Sequence, residues 1–409
     1  MTQETSAPAG VQGTRAEPTR GARYPGFDGL RAIAAVSVAL THSSFISGFN
    51  IHSDLLGPYT ARLDIGVAVF FVISGFLLYR PFVLARFAGV PAPGVRAYFL
   101  RRCLRIFPAF WLAFTAVLLV PQLHGLAWTH QTWTGLLAHY TLTHIYFRAH
   151  VLGPLQQSWT LATEIAFYVF LPIYAWVMRR TGDARTTKLT AELSGLFVLY
   201  AGSVTFRLWL FSGVDPKLNG MYNTWLPARL DLFAAGMCLA VLSAWWSTDR
   251  DGAPTWLEHR ALPWLSWAVA LAAFWFLSVG FGLNDMQNRG PSPTFSHAQQ
   301  MWLQLFWGVV GFFLVAPAVF GPQDRGALRR FLTNKLVAWI GLVSYGIYLW
   351  HEAVIDWYLH LTEPVAFNSS FAKMTAFMFA VTAVLAAASY YLVERPALRL
   401  KNPTRSRAR

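Results

Sequence analysis

Arg31 and His42 stand eleven residues apart, at the two ends of the apolar stretch AIAAVSVALT. On a helix, eleven steps of 100° return to within about 20° of one face and rise about 16 Å. The two side chains therefore share a face, and the imidazole, a group that exchanges protons near neutral pH, lies deep in the element. An interface arginine with a hydrogen-bonded interior histidine is the plainer reading of the same spacing. A second group is basic and amphipathic, RAYFLRRCLRIFP over 96–108. Its Arg102 and Arg105, three residues apart, can turn two planar forks towards one phosphate. The same stretch can also lie on anionic headgroups. Glu164, in SWTLATEIAFYVFLP (158–172), needs a proton or a partner in so apolar a setting, and Arg207 and Arg229 are candidates. Arg207 and Asp231 read as a structural ion pair. Asp64 reads as a solvated boundary carboxylate, and Ser74-Gly75 as a close-packing spot between helices. Ser344, Tyr345, Tyr348, His351 and Glu352 fall on one further apolar run. No His, Asp or Glu set has metal spacing, so no metal is expected. Cys103 and Cys238 lie far apart and form no disulfide framework.

The elements that must position these residues follow from composition. Of 409 residues, 55% are apolar, 16% aromatic and 13% charged. An ordinary soluble domain carries about 25% charged residues. Too little polarity remains to coat a soluble surface, which excludes a disordered chain, a disulfide scaffold and a usual cytosolic enzyme. A bilayer core takes roughly 20 apolar residues of helix. Ten runs qualify, near 30–48, 64–84, 106–121, 160–178, 190–211, 226–246, 262–283, 301–320, 336–359 and 371–393. The stretch 132–150 is apolar but holds His139, His144, Arg148 and His150. Reading it as an outer-side interfacial or re-entrant segment puts 26 Lys/Arg on inside segments against four outside, as positive-inside topology requires. The expectation is an all-α polytopic protein with ten transmembrane helices and both termini cytoplasmic. Residues 1–26 are expected to be a disordered cytoplasmic tail and 397–409 a basic one, with Glu394 and Arg395 facing the cytoplasm. The net charge of +14 is then a consequence of topology, and no nucleic-acid partner is expected. The absence of repeated motifs between the halves counts against inverted-repeat transporters.

The topology places Arg31 and the 101–105 cluster at the inner face. It places His42, Glu164, Arg207, Arg229, Asp231, His351 and Glu352 in the outer half. This describes a cavity with a polyanion-binding mouth inside and a polar centre deeper in.

The motifs resemble the acyltransferase-3 family of integral membrane acyltransferases. FDGLRAIAAVSVALTH (27–42), DIGVAVFFVISGFLL (64–78), RRCLRIFPAFW (101–111), SWTLATEIAFYVFLP (158–172), ARLDLFAAGMCLA (228–240) and VSYGIYLWHEAV (343–354) carry the resemblance in the family's order. The basic residue followed by ten residues and a histidine matches Arg31 and His42, Arg-x-x-Arg matches Arg102 and Arg105, and Trp-x-x-x-x-Glu matches Trp159 and Glu164. TLATEIAFY departs from the SLSVEEQFY that relatives often show, and keeps only the first carboxylate. The resemblance implies a membrane acyltransferase domain over 27–396, in the stand-alone form without an SGNH domain. It implies transfer of an acyl group, often acetyl, from cytoplasmic acyl-CoA to a hydroxyl. Arg31, Arg102 and Arg105 would hold CoA phosphates, His42 would act as general base, and Glu164 would orient the imidazole or bind acceptor hydroxyls. Asp64, Ser74, Trp159, Arg229, Asp231, Tyr348 and His351 complete a substrate or structural polar network. The expected acceptor is a cell-envelope glycolipid or glycan, with a macrolide or other secondary metabolite as the alternative, and the expected location is the plasma (inner) membrane. A transporter or flippase without chemistry is the rival reading.

Overall fold

The computed structural model describes residues 24–125, 132–151, 153–249, 252–290, 294–363 and 367–400, without the side chains of 216 and 217. The expected tail 1–26 lies outside these residues except for 24–26. The expected tail 397–409 lies outside except for its first four residues, which complete and follow the short helix Arg395–Arg399.

Among the described residues the apolar runs form ten long helices: α1 (Gly26–Ser47), α2 (Gly66–Phe87), α3 (Val95–Leu119), α4 (Trp159–Met178), α5 (Arg185–Gly213), α6 (Leu226–Ser247), α7 (Leu262–Val279), α8 (His297–Val319), α9 (Ser344–Thr362) and α10 (Phe371–Ser389). There is no strand among the described residues. Nine of these helices, α1 to α8 and α10, are long and apolar enough to cross a membrane. The run 336–359 differs from the single span expected of it. It breaks at Val343 into Lys335–Leu342 and the 19-residue α9. At 1.5 Å per residue α9 is about 28 Å long, close to the roughly 30 Å of a bilayer core. His351, Glu352, Asp356 and His360 make it too polar to qualify as a lipid-exposed span. It packs against α1 and α10, which shield one side of it. The chain is a multi-pass, all-α membrane protein.

Residues 132–150 contain only the helix Trp133–Tyr140 and the turn His144–Tyr146, neither long enough to cross. Burial holds the His139 and His144 imidazoles below their ordinary pKa, His144 at about 3.

Close packing sets the frame around α2. A Cβ on Gly75 would collide with the Phe233 carbonyl of α6, and one on Gly236 with the Val72 carbonyl of α2. Helices approach this closely where small residues face each other. Phe233 then stacks on Phe71 and Phe167, with centroids 4.6 and 4.0 Å away. Lower in the bundle Arg86 of α2 bonds Glu192 of α5 at 2.5 Å, with the Tyr79 hydroxyl on the other carboxylate oxygen. Glu394 does not face solvent as expected. It is 5% exposed in a π-helical turn, Tyr390–Glu394, where it feels the charge of Arg105.

Candidate active site

Four helices bring the arginine group together. Arg31 on α1, Ser74 on α2, Arg102 and Arg105 on α3, and Glu164 on α4 line one cavity of about 830 Å³, counting its open mouth. Tyr345 and Tyr348 of α9 close it from the other side. Three guanidinium groups against one carboxylate make the cavity cationic. Arg31 also bonds Asp28 one turn back, at 2.8 Å, which fixes its head. Arg102 has a buried Nε with no partner among the described residues. A buried, unmatched donor of this kind suits an anionic ligand.

Glu164 finds neither Arg207 nor Arg229. It accepts from Ser74 Oγ at 2.6 Å and interacts with the Tyr168 hydroxyl. Ser74 is therefore a hydrogen-bonding residue, while its neighbour Gly75 makes the close packing expected of the pair. The sequence misplaced Glu164 because a residue's position on its own helix does not say which neighbouring side chains it meets.

The second group is formed by His42, His351 and Glu352. His42 Nδ1 lies 2.7 Å from His351 Nε2 and 3.1 Å from Glu352 Oε1. His351 Nδ1 faces the Ile347 carbonyl at 3.1 Å. A carbonyl only accepts, so Nδ1 of His351 carries the proton and its Nε2 offers a lone pair. His42 must then donate from Nδ1, which leaves its own Nε2 unprotonated and, among the described residues, without a partner. The second oxygen of Glu352 accepts from the Gln157 backbone N–H at 3.4 Å. The carboxylate on His42 is thus Glu352, not Glu164. The adjacent polar pair His351-Glu352 on an apolar run was the available signal. What sequence could not show was that α9 packs on α1.

These three side chains each offer a donor atom within 4.8 Å of the others. Two ligands of one tetrahedral zinc stand roughly 3.3 Å apart, at metal–nitrogen distances of about 2.0–2.1 Å. The 2.7 Å between the imidazole nitrogens is instead hydrogen-bond spacing. The group fits a proton-handling triad better than a metal centre.

Tyr348 links the two groups. It lines the cationic cavity, and its ring centroid lies 5.9 Å from that of His351. Its hydroxyl is held by Thr160 at 2.8 Å and by the Gln157 carbonyl at 3.1 Å.

The remaining expected site residues lie in a separate network. Asp231 pairs with Arg207 at 2.9 Å, as expected, and accepts from Gln304 at 3.0 Å. Arg229 donates to Gln304 at 2.6 Å and sits 5.3 Å over the Trp159 ring. Asp64 is not a solvated boundary carboxylate, because its Oδ1 is buried and faces the charges of Arg62 and Arg229. This network ties α4, α5, α6 and α8 together and does not line the cationic cavity.

With this geometry in place, comparison with known proteins is decisive for the family. The acyltransferase-3 family model, described as an acyltransferase domain, matches residues 24–393. The chain belongs to the acyltransferase-3 family. Among curated relatives, it is 27% identical over 392 residues to the putative peptidoglycan O-acetyltransferase YrhL of Bacillus subtilis, covering 91% of this chain and 55% of that protein. It is 24% identical over 386 residues to the peptidoglycan O-acetyltransferase OatA of Listeria monocytogenes, again covering 91% and 55%. Nodulation protein 10 of Rhizobium leguminosarum is 23% identical over 407 residues, covering 92% of this chain and 93% of that protein. The chain spans about half the length of the two peptidoglycan relatives. No solved structure matches it. In this acyltransferase-3 protein Arg31, Arg102 and Arg105 line one cavity, and His42 meets His351 and Glu352.

Proposed function

We propose that the protein is a membrane O-acyltransferase. It moves an acyl group, acetyl in the simplest case, from cytoplasmic acyl-CoA to a hydroxyl of a cell-envelope glycolipid or glycan. The observation that carries this reading is the proximity of the two groups: three arginines line one cavity with Tyr348, whose ring centroid lies 5.9 Å from that of His351, the partner of His42. On this reading the CoA phosphates lie against Arg31, Arg102 and Arg105, and the thioester extends towards Tyr348. Both termini and the arginine mouth then face the cytoplasm of a plasma-membrane protein. His42 Nε2 takes the proton of the acceptor hydroxyl, and the alkoxide attacks the thioester carbonyl. Glu352 and His351 hold the neutral ring in the tautomer that leaves Nε2 free, and the carboxylate stabilises the imidazolium as it forms. CoA thiolate is a good leaving group, so the step asks nothing of a metal. The acetyl-transferring names of the relatives and the envelope glycan named for two of them support the acceptor class.

The test is transfer of labelled acetyl from acetyl-CoA by the protein in liposomes holding a crude envelope-lipid extract. Label on a lipid or sugar is the expected result. Solute uptake with no CoA released would favour the transporter reading instead.

A further inference from the structure

The polar face of α9 continues beyond the triad. Ser344, Tyr345 and Tyr348 face the cationic cavity, and His351 and Glu352 engage His42. One turn further stands Asp356, and one turn beyond that the exposed His360. Positions 348, 352, 356 and 360 recur every four residues, so each step turns only about 40° and rises about 6 Å. They form one stripe from the cavity to the end of the helix.

Asp356 has no hydrogen-bond or ion-pair partner among the described residues. Its strongest charged neighbour is Glu352, a like charge. The segment after α3 roofs it: a Cβ on Gly125 would lie 2.5 Å from Asp356 Oδ2, and His360 Nε2 bonds the His124 carbonyl at 3.1 Å. A lone carboxylate beside a second carboxylate destabilises a membrane helix. Among the described residues nothing in the packing compensates it. The arrangement suits a group that must take up and release a proton.

We propose that Asp356 is a proton-relay carboxylate, passing the acceptor's proton from the His42–Glu352 pair to water at the far end of α9. The inference rests on the acyl-transfer reading. In the balanced step, the acceptor O–H bond breaks and its proton goes to His42 Nε2. The new O–C bond forms, the C–S bond breaks, and CoA leaves as a thiolate that takes a proton from water on the arginine side. The imidazolium passes its Nδ1 proton to Glu352 Oε1, 3.1 Å away. Glu352 passes a proton to Asp356, through one water across the helical turn, and Asp356 passes one to solvent. Exchange with water, which takes the Nε2 proton and returns one to Nδ1, restores the starting tautomer of His42. Each turnover then releases one proton at the acceptor side and takes up one at the donor side.

The test uses the full chain in liposomes with acetyl-CoA and an envelope-lipid extract, reading CoA release with a thiol reagent. Asp356→Asn is expected to lower kcat about 10- to 100-fold, in the range for proton-transfer groups, with the KM for acetyl-CoA within twofold. Added formate should restore much of the loss, and Asp356→Glu should retain most of the wild-type rate. Asp356→Ser, which also lacks the carboxylate, gives a second reading if the Asn variant does not fold. Asn or Ser variants at the wild-type rate overturn the relay alone. A raised KM with no formate rescue also overturns it, assigning Asp356 to binding or packing. A wild type that releases no CoA overturns the acyl-transfer reading and the relay with it.

Discussion

Glu352→Gln is the sharpest perturbation of the proposed chemistry. The change keeps the shape of the side chain and removes only its charge. Glu352 Oε1 lies 3.1 Å from His42 Nδ1, and the two side chains are 16% and 25% exposed. At that separation and an effective dielectric constant of about 20, a full imidazolium–carboxylate attraction is worth about 5 kcal/mol. With the proton roughly half transferred in the transition state, about half of that is at stake. A loss of about 2–3 kcal/mol is a fall of about 100-fold in kcat. The KM for acetyl-CoA should not move, because Glu352 does not line the arginine cavity. The carboxylate's bond from the Gln157 N–H is long, at 3.4 Å, and an amide oxygen can still accept it, so the fold should survive. The assay is initial-rate CoA release at varied acetyl-CoA, with thermal unfolding in detergent as the control. A kcat within threefold of wild type, or a KM that rises while kcat holds, would rule out charge stabilisation of His42 by Glu352.

Arg102→Ala and Arg105→Ala should each raise the KM for acetyl-CoA about 10-fold or more, the worth of a hydrogen bond to a charged group. Steady-state kinetics checks this, and an unchanged KM in both would remove the phosphate clamp. Arg86→Ala leaves Glu192, 0% exposed, without its ion partner and should destabilise the protein by about 3–5 kcal/mol, seen as a lower melting temperature. Replacing both partners with apolar residues should recover much of that loss. Gly236→Leu should prevent folding of the α2–α6 pair, because its side chain would enter the Val72 backbone; a monodisperse variant of normal melting temperature would contradict the packing argument. The buried imidazole of His144, at about 3 against an ordinary 6.5, stays neutral in the fold while the unfolded chain protonates. Stability is therefore full above about pH 6.5 and is lost as pH falls towards 3. His144→Gln should shrink the drop in melting temperature between pH 7 and pH 4.5; an equal drop would refute the assignment.

Nearly all of the spans were legible in the sequence, because lipid demands long apolar helices. The run 336–359 was only half legible. Length and apolarity marked it as membrane-embedded, but neither the break at Val343 nor the polar stripe of α9 shows in an average over the run. Arg31, Arg102 and Arg105 were legible as one group because helical spacing suffices to turn them towards a common cavity. Glu164 was misplaced and Glu352 undervalued for one reason. Periodicity fixes a residue's angle on its own helix, but not which neighbouring helix that angle meets. Asp356 had no motif at all, and its isolation became visible only once the surrounding side chains were in place.

On the proposed reading His42 performs the proton transfer of an acyl transfer. The direct measurement is labelled acetyl transfer from acetyl-CoA to an envelope-lipid extract by reconstituted wild type and His42→Ala, at matched amounts of folded protein. Wild type should give labelled product and the variant less than a few per cent of it, while acetyl-CoA still binds the variant. Transfer by His42→Ala near the wild-type rate would contradict it.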